Sequence, residues 1–287
     1  MIGAAPSFTA RRVAMHRAAH QLLDNPRVFE DPIAIAILGV AAARLKTQLD
    51  RFDTAGARHI RAFVTARSRY AEDELTLAIA RGVTQYVILG AGLDTYAYRS
   101  PHSRLRVFEV DYPASQVWKR TQLETAGIGI PSSLAFVPAN FEEQTLCSAL
   151  QSSGFQRDKV SFFSWLGVTP YLTATSALAT LAFIGSLPAG SGVVFDYAIE
   201  RSSLNSKEQL AMDALASRVA RAGEPFRLFL DPRALERMLR AAGFSEVEDL
   251  GPAEIDARYL SDRTDGLRVA AGLAHLVNAR ICPAKAN

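Results

Sequence analysis

Residues 85–111 read Gln85-Tyr-Val-Ile-Leu-Gly-Ala-Gly-Leu-Asp-Thr-Tyr-Ala-Tyr-Arg-Ser-Pro-His-Ser-Arg-Leu-Arg-Val-Phe-Glu-Val-Asp111. The apolar run Tyr86 to Leu89 predicts a buried strand that stops at Gly90-Ala91-Gly92. A second apolar run, Leu105 to Val110, ends in an acid, Asp111. Two glycines let the backbone turn sharply and come close to a ligand. An acid closing the next strand, 19 residues after Gly92, is placed to accept hydrogen bonds from a ribose diol. Strand, glycine turn and strand-end acid together describe a nucleoside-cofactor site.

The turn also discriminates between cofactors. A dinucleotide fingerprint needs a third glycine three residues after Gly92, where helix and strand pack closely beside the pyrophosphate. That position is Thr95 here, and Asp94 precedes it. An anionic side chain in the turn repels a pyrophosphate but suits a cationic ligand. S-adenosyl-L-methionine (SAM) carries an ammonium and a sulfonium, has no phosphate, and keeps the ribose. A lone G-x-G is common in ordinary loops. G-x-G-x-D between two strands favours SAM, with an NAD-linked oxidoreductase as the rival reading.

The rest of the chain narrows the class. Its 287 residues are 49% hydrophobic, ample for one large domain with an added subdomain. The net charge is +3, and the cations, such as Arg11, Arg12, Arg58 and Arg218, are scattered rather than gathered into a nucleic-acid track. Cys147 and Cys282 offer neither a disulfide framework nor a zinc set. His16 and His20 stand four apart on a predicted helix, with no third ligand nearby to make that spacing a metal site. No secretory segment and no run of roughly 20 apolar residues occurs, so a soluble cytoplasmic protein is expected, with no metal and no membrane or nucleic-acid partner.

Helices are expected over Thr9 to Leu23 with Thr9 as N-cap, from Asp31-Pro32 through Leu38, and over Arg58 to Ala80. Strand-like runs at 86–89, 105–110, 134–138, 160–168 and 192–199 alternate with helical patterns at 113–126, 142–153 and 174–187. Such alternation predicts an α/β fold, a doubly wound and mostly parallel sheet. Helices at 206–222 and 232–242 follow, and Val247 to Leu250 with Leu267 to Val277 reads as a closing antiparallel strand pair. Residues 1–80 are expected to form a helical lid on a Rossmann-like domain of residues 81–287, with a helical insertion at 200–243.

The chain resembles the leucine carboxyl methyltransferase-like family of SAM-dependent O-methyltransferases. That family includes the protein phosphatase 2A methyltransferase and polyketide carboxyl O-methyltransferases of the tetracenomycin type. The resemblance rests on Thr9-Ala10…Arg17-Ala18, Asp31-Pro32, Ala66-Arg67-Ser68-Arg69, Val87 to Thr95, Phe108-Glu-Val-Asp-Tyr-Pro113 and Trp165-Leu-Gly-Val-Thr-Pro-Tyr-Leu172. It implies a class I methyltransferase fold, SAM as cofactor and S-adenosyl-L-homocysteine (SAH) as product. It also implies that Arg67 holds the SAM carboxylate, with Arg17 as a second cation from the lid. Gly90, Ala91, Gly92 and Asp94 would then border the methionine portion, Asp111 and Tyr112 the ribose, and Asn140 and Phe141 the adenine. Asn140 stands where relatives usually have an aspartate, and an amide oxygen still accepts a hydrogen bond. Many relatives carry an Ala-Glu-Gly-Leu-like segment where this chain has Trp165-Leu166-Gly167, so the acid is missing and its role is not carried over. Trp165 and Tyr171 are read instead as an aromatic wall, with core packing equally open to both.

A carboxylate acceptor is already ionised at neutral pH, whereas a phenol gains from a general base. The acceptor region directly after the fourth strand, Gly167 to Leu172, holds no histidine or carboxylate; His59 could reach in from the lid, with a solvent-exposed or capping role as the plainer reading. This favours O-methylation of a small carboxylic acid, with a phenol or hydroxyl acceptor as the alternative and a non-catalytic SAM-binding protein as a third reading. No catalytic residue is assigned. Acceptor-pocket candidates are Tyr98, Trp165, Tyr171, Tyr197 and Arg201.

Overall fold

Apolar runs bounded by glycine and polar turns form the strands of the sheet, with two of them shorter than the pattern suggests. The computed structural model describes residues 7–39, 41–269 and 272–283. The N-terminal segment holds α1 (Phe8–Leu23), α2 (Ala41–Thr47) and α3 (Ala55–Ala80). The alternating part runs β1 (Gln85–Leu89), α4 (Tyr96–Arg99), β2 (Arg106–Asp111), α5 (Pro113–Thr125), β3 (Leu134–Pro138), α6 (Leu146–Gln151), β4 (Ser161–Trp165), α7 (Ala174–Gly185) and β5 (Gly192–Ala198). Then come α8 (Ser206–Arg221), α9 (Pro232–Ala241), β6 (Glu246–Leu250), α10 (Pro252–Tyr259) and β7 (Ala274–Arg280).

The seven strands lie in the order β3-β2-β1-β4-β5-β7-β6. The first five are parallel, in a register that pairs Leu89 with Val110, Ile88 with Ser164 and Trp165 with Phe195. β7 enters antiparallel between β5 and β6. The expected doubly wound sheet with its antiparallel closing pair is therefore the observed one. The chain steps outward from β1 to β2 and β3, then returns to β4 on the other side. Connections diverge at that switch point between β1 and β4, and in open α/β sheets ligands bind in the crevice outside the carboxyl ends of the strands at such a point.

Strand periodicity sorts side chains to two faces. Leu89, Phe108, Val110, Phe163, Trp165 and Phe195 belong to one core, shared with Ala177 and Leu181 of α7 and Leu235 and Leu239 of α9. Tyr86, Ile88, Val107, Phe162 and Val194 face Ala62, Ala66 and Tyr70 of α3. Thus α3 is itself one of the helices covering the sheet. A third cluster joins Ala14 and Ala18 of α1 and Ile37 to Leu93 and Leu123. Among the described residues, no helix is long and apolar enough to cross a membrane.

Several local expectations are corrected. Ser7, not Thr9, caps α1, its hydroxyl accepting the Ala10 N–H at 3.1 Å. No helix runs from Asp31 to Leu38: turns lead only to a single 3-10 turn, Ala36–Leu38, which ends at Gly39 with φ 56°. Asp31 instead spends its carboxylate on Thr95 and Arg17. β4 ends at Trp165 because Gly167 takes φ 72° and turns the chain away. β7 begins only at Ala274, and α10 was not foreseen. Leu267 and Val269 are buried against the α3-side core without pairing as strand, which is why their hydrophobicity misleads.

The N-terminal segment is fastened by a buried polar cluster. Asp24 accepts Arg61 Nε at 2.6 Å and Nη2 at 2.9 Å, while Arg61 Nη1 donates to the Phe52 carbonyl. His20 Nε2 accepts the N–H groups of Val28 and Phe29 at 3.0 and 3.3 Å, so the ring proton is on Nδ1 and goes to Asp24 at 2.6 Å. Burial alone would raise the Asp24 pKa, but these hydrogen bonds and the Arg61 charge overcome it and hold the carboxyl at about 2.

His16 is the contrast. It is 2% exposed, neither ring nitrogen has a hydrogen-bond partner, and the ring packs edge-on to Phe52 at 5.1 Å. Burial, and then the charges of Arg12, Arg61 and Arg67, lower its pKa to about 3. In the unfolded chain it protonates near its ordinary pKa of about 6.5. The folded state therefore binds fewer protons, and stability present above about pH 6.5 is lost as pH falls toward 3. In His16→Leu this part of the acid slope should vanish, so that wild type loses more melting temperature than the variant between about pH 6.5 and 4. Parallel melting curves for the two proteins would refute the buried neutral state.

Candidate active site

The β1–α4 loop is shaped by positions that exclude side chains. Gly90 has φ +66°, and a Cβ there would fall inside the Val168 side chain. Its N–H and that of Ala91 reach the Val110 carbonyl at 2.8 and 3.2 Å, folding the turn against β2. A Cβ on Gly92 would stand 3.4 Å from the Ala10 Cβ, so the first turn of α1 lies directly over the loop. Asp111 bridges the two strand ends: Oδ2 accepts the Gly92 N–H at 2.5 Å and Oδ1 the Tyr112 N–H at 2.7 Å. Burial raises its pKa against the pull of those two donors.

Asp94 accepts the Tyr96 N–H at 2.8 Å and starts α4. Thr95, where a dinucleotide loop would have glycine, donates to Asp31 Oδ2 at 2.7 Å. The same carboxylate lies 2.8 Å from Arg17 Nε, and Arg17 Nη2 donates to the Leu93 carbonyl. Arg17 thereby ties α1 to the loop, 6% exposed.

Across the crevice, Arg67 of α3 donates from Nη1 to Asp196 Oδ2 of β5 at 2.8 Å. Asp196 Oδ1 accepts the Gly167 N–H at 2.5 Å, and its carbonyl accepts Thr169 Oγ1 at 2.5 Å. A Cβ on Gly167 would lie 2.7 Å from Arg67 Nη2, so glycine leaves room for the guanidinium. Tyr171 follows on the same loop, beside Phe226 at 5.3 Å between centroids; burial pushes its pKa up to about 12. The amino end of α1 closes this side: the Phe8 and Thr9 N–H groups donate to Glu224 at 3.1 and 3.0 Å, satisfying two donors that a helix start leaves free.

The sequence candidates divide accordingly. Gly90, Ala91, Gly92, Asp111 and Tyr112 sit at the carboxyl ends of β1 and β2, while Arg67 of α3 meets Asp196 of β5 beside the loop that carries Gly167 and Tyr171. Asn140 and Phe141 follow β3, where the Asn140 Oδ1 accepts the Glu142 N–H at 3.1 Å and Phe141 is buried in the sheet core. Trp165 projects to the opposite face from Arg67 and Asp196 and is fully buried, with Nε1 unpartnered. Tyr197 shares that face, its hydroxyl on Asp249 at 2.6 Å. Tyr98 of α4 donates its hydroxyl to Glu109 at 3.3 Å, a buried acid that pairs with Lys119 at 2.7 Å and is raised by burial to about 7. Arg201 is exposed and paired with Asp213 at 3.2 Å. The polar groups of Tyr98, Tyr197 and Arg201 are thus engaged by Glu109, Asp249 and Asp213. His59 likewise faces the Arg268 carbonyl at 3.0 Å on the exposed side of α3. Sequence reasoning missed Asp196, although one acid inside the apolar run Val193 to Ala198 was a usable signal. Glu224 carried no signal at all.

Residues 10–185 match the family model described as leucine carboxyl methyltransferase. YktD of Bacillus subtilis (strain 168), whose name puts it among the S-adenosyl-L-methionine-dependent methyltransferases, is 32% identical over 285 residues, 91% of this chain and 93% of its own. Two solved structures share the fold. A DUF574 family protein from Streptomyces avermitilis MA-4680 superposes with a TM-score of 0.57 at 14% identity, over 98% of this chain and 100% of the other. A Thermobifida fusca YX protein described as a methyltransferase gives 0.59 at 16% identity, over 98% and 97%.

Proposed function

The chain belongs to the leucine carboxyl methyltransferase family and is a SAM-dependent methyltransferase, and from that premise we propose that it methylates the carboxylate oxygen of a small organic acid. When bound, SAM supplies an electrophilic methyl on its sulfonium. The donors in the crevice fit that cofactor: a guanidinium for its carboxylate, an acid for its ribose diol, and a glycine turn that admits its backbone-hugging middle. Arg67, Gly90 to Gly92, Asp111 and Tyr112 would hold it, with Asn140 and Phe141 toward the adenine. The N-terminal segment, whose first turn lies over Gly92, would exclude water and fix the acceptor, which is where much of the acceleration in an in-line displacement arises.

One observation carries the choice of acceptor. Arg12 on α1 is partly buried near Arg218 of α8, and burial together with that like charge lowers its pKa. Neither forms an ion pair among the described residues. Two guanidiniums close enough for one to lower the other's pKa are suited to an anion, and a carboxylate needs no base. A phenol acceptor would need one, and His16, among Arg12, Arg61 and Arg67, is held at about 3, too weak to take that proton.

The test is methyl transfer from radiolabelled SAM to a panel of carboxylic acids and phenols. Label that mild alkali releases as methanol, from an acid acceptor, is the expected result, with Arg12→Ala raising KM for the acid more than it lowers kcat. Alkali-stable label would exclude an ester product.

A further inference from the structure

Two buried arginine–aspartate pairs on α3 are spent differently, and the difference points to a ligand. In the Arg61–Asp24 pair every guanidinium nitrogen has a partner, Nε and Nη2 on Asp24 and Nη1 on the Phe52 carbonyl. That arrangement is complete and structural. In the Arg67–Asp196 pair only Nη1 is used, and Nε and Nη2 find no acceptor among the described residues. Asp196 is just as unfinished. Each of its oxygens accepts one hydrogen bond, from Gly167 N and Arg67 Nη1, whereas a carboxylate takes about four.

Burying an ion pair is expensive unless its remaining valences are met. These two residues are 6% and 4% exposed, at the carboxyl edge of the sheet, beside the loop at Gly167. A cation and an anion 2.8 Å apart, each with capacity left, are complementary to a zwitterion. The α-amino-acid end of SAM is such a group, with a carboxylate and an ammonium on one carbon.

Resting on the reading of this crevice as the SAM site, we propose that Asp196 binds the SAM ammonium while Arg67 binds the carboxylate, so that the two form one zwitterion clamp. The acid comes from β5. Its grip on the Gly167 N–H sets the loop against the clamp, and the missing side chain at Gly167 gives the guanidinium its place.

Calorimetry with three adenosyl ligands separates the roles: SAH has both charged groups, decarboxylated SAM keeps only the amine, and 5′-methylthioadenosine has neither. Asp196→Asn, nearly isosteric, should weaken SAH and decarboxylated SAM by at least about tenfold, the loss of one charged hydrogen bond, and leave 5′-methylthioadenosine within about twofold. Arg67→Ala should weaken SAH alone to that extent. The proposal is overturned if Asp196→Asn leaves decarboxylated SAM unchanged, which would make Asp196 only a support for Arg67. It is equally overturned if all three ligands weaken together, which would mark a general structural role. Asp196→Ser, with its fold checked by circular dichroism, repeats the test should the asparagine variant not fold. If wild type binds none of the three, the crevice reading itself fails, a result distinct from failure of the clamp.

Discussion

Asp24→Ala is expected to destabilise the protein by about 3–5 kcal/mol, because it strands the fully buried Arg61 charge. Arg61 would lose two hydrogen bonds, keeping the Phe52 carbonyl and a 3.5 Å approach to the half-exposed Asp53. His20 would lose the acceptor of its Nδ1 proton. Since the cluster joins α1, the turn at 24–29 and α3, the loss should appear as a fall in Tm on the order of 10 °C. Removing both charges is a sharper check. Asp24→Leu with Arg61→Met should cost less than Asp24→Ala alone, since no unpaired charge remains buried. Acid acts through the same carboxyl. With a folded pKa of about 2 its contribution is complete above the usual carboxylate range near pH 4 and disappears as pH falls through 2. Equal destabilisation by the single and double changes would show that Asp24 acts through packing rather than charge.

Arg67→Ala is expected to weaken SAM by roughly 1.5–3 kcal/mol, about 10- to 150-fold in Kd, the range for a hydrogen bond to a charged group. The residue is 6% exposed, so its guanidinium acts in a medium that screens little. Arg67→Lys should recover only part of the affinity, because an ammonium is a point charge and cannot serve Asp196 and a ligand carboxylate as a planar fork does. Alanine also leaves Asp196 buried without its cation, so Tm should fall as well. An unchanged Kd with a lowered Tm would leave Arg67 as a purely structural partner of Asp196.

Much of the fold is legible in the sequence for a definite reason. Parallel strands buried on both faces appear as unbroken apolar runs, and β1 and β5 are buried at every position. Gly90 and Gly92 are readable because only a turn with positive φ requires them there. Short elements are not legible in this way. The four residues of α4 depend on Asp94 and on packing of Tyr96 against Tyr86, at 5.0 Å between centroids, a contact no periodicity encodes. Leu267 and Val269 look like strand residues, yet burial alone does not distinguish pairing from packing.

The site divides along the same line. The place of Asp111 at the end of β2 is legible because strand-end position is a local property. Trp165 and Tyr197 could be placed near strand ends, but their common face depends on register: Trp165 pairs with Phe195, and Tyr197 lies two residues further on. That parity puts both on the side away from Arg67. Asp196 and Glu224 act on partners 129 and 216 residues away, so only the fold could reveal what they hold.

The most direct measurement is isothermal titration of the wild-type chain and Asp111→Ala with SAH, with NAD as control. One SAH per chain at micromolar Kd, no response to NAD, and at least about tenfold weaker SAH binding in Asp111→Ala are the predicted results. The same SAH Kd in both proteins would contradict a cofactor seated at the carboxyl ends of β1 and β2.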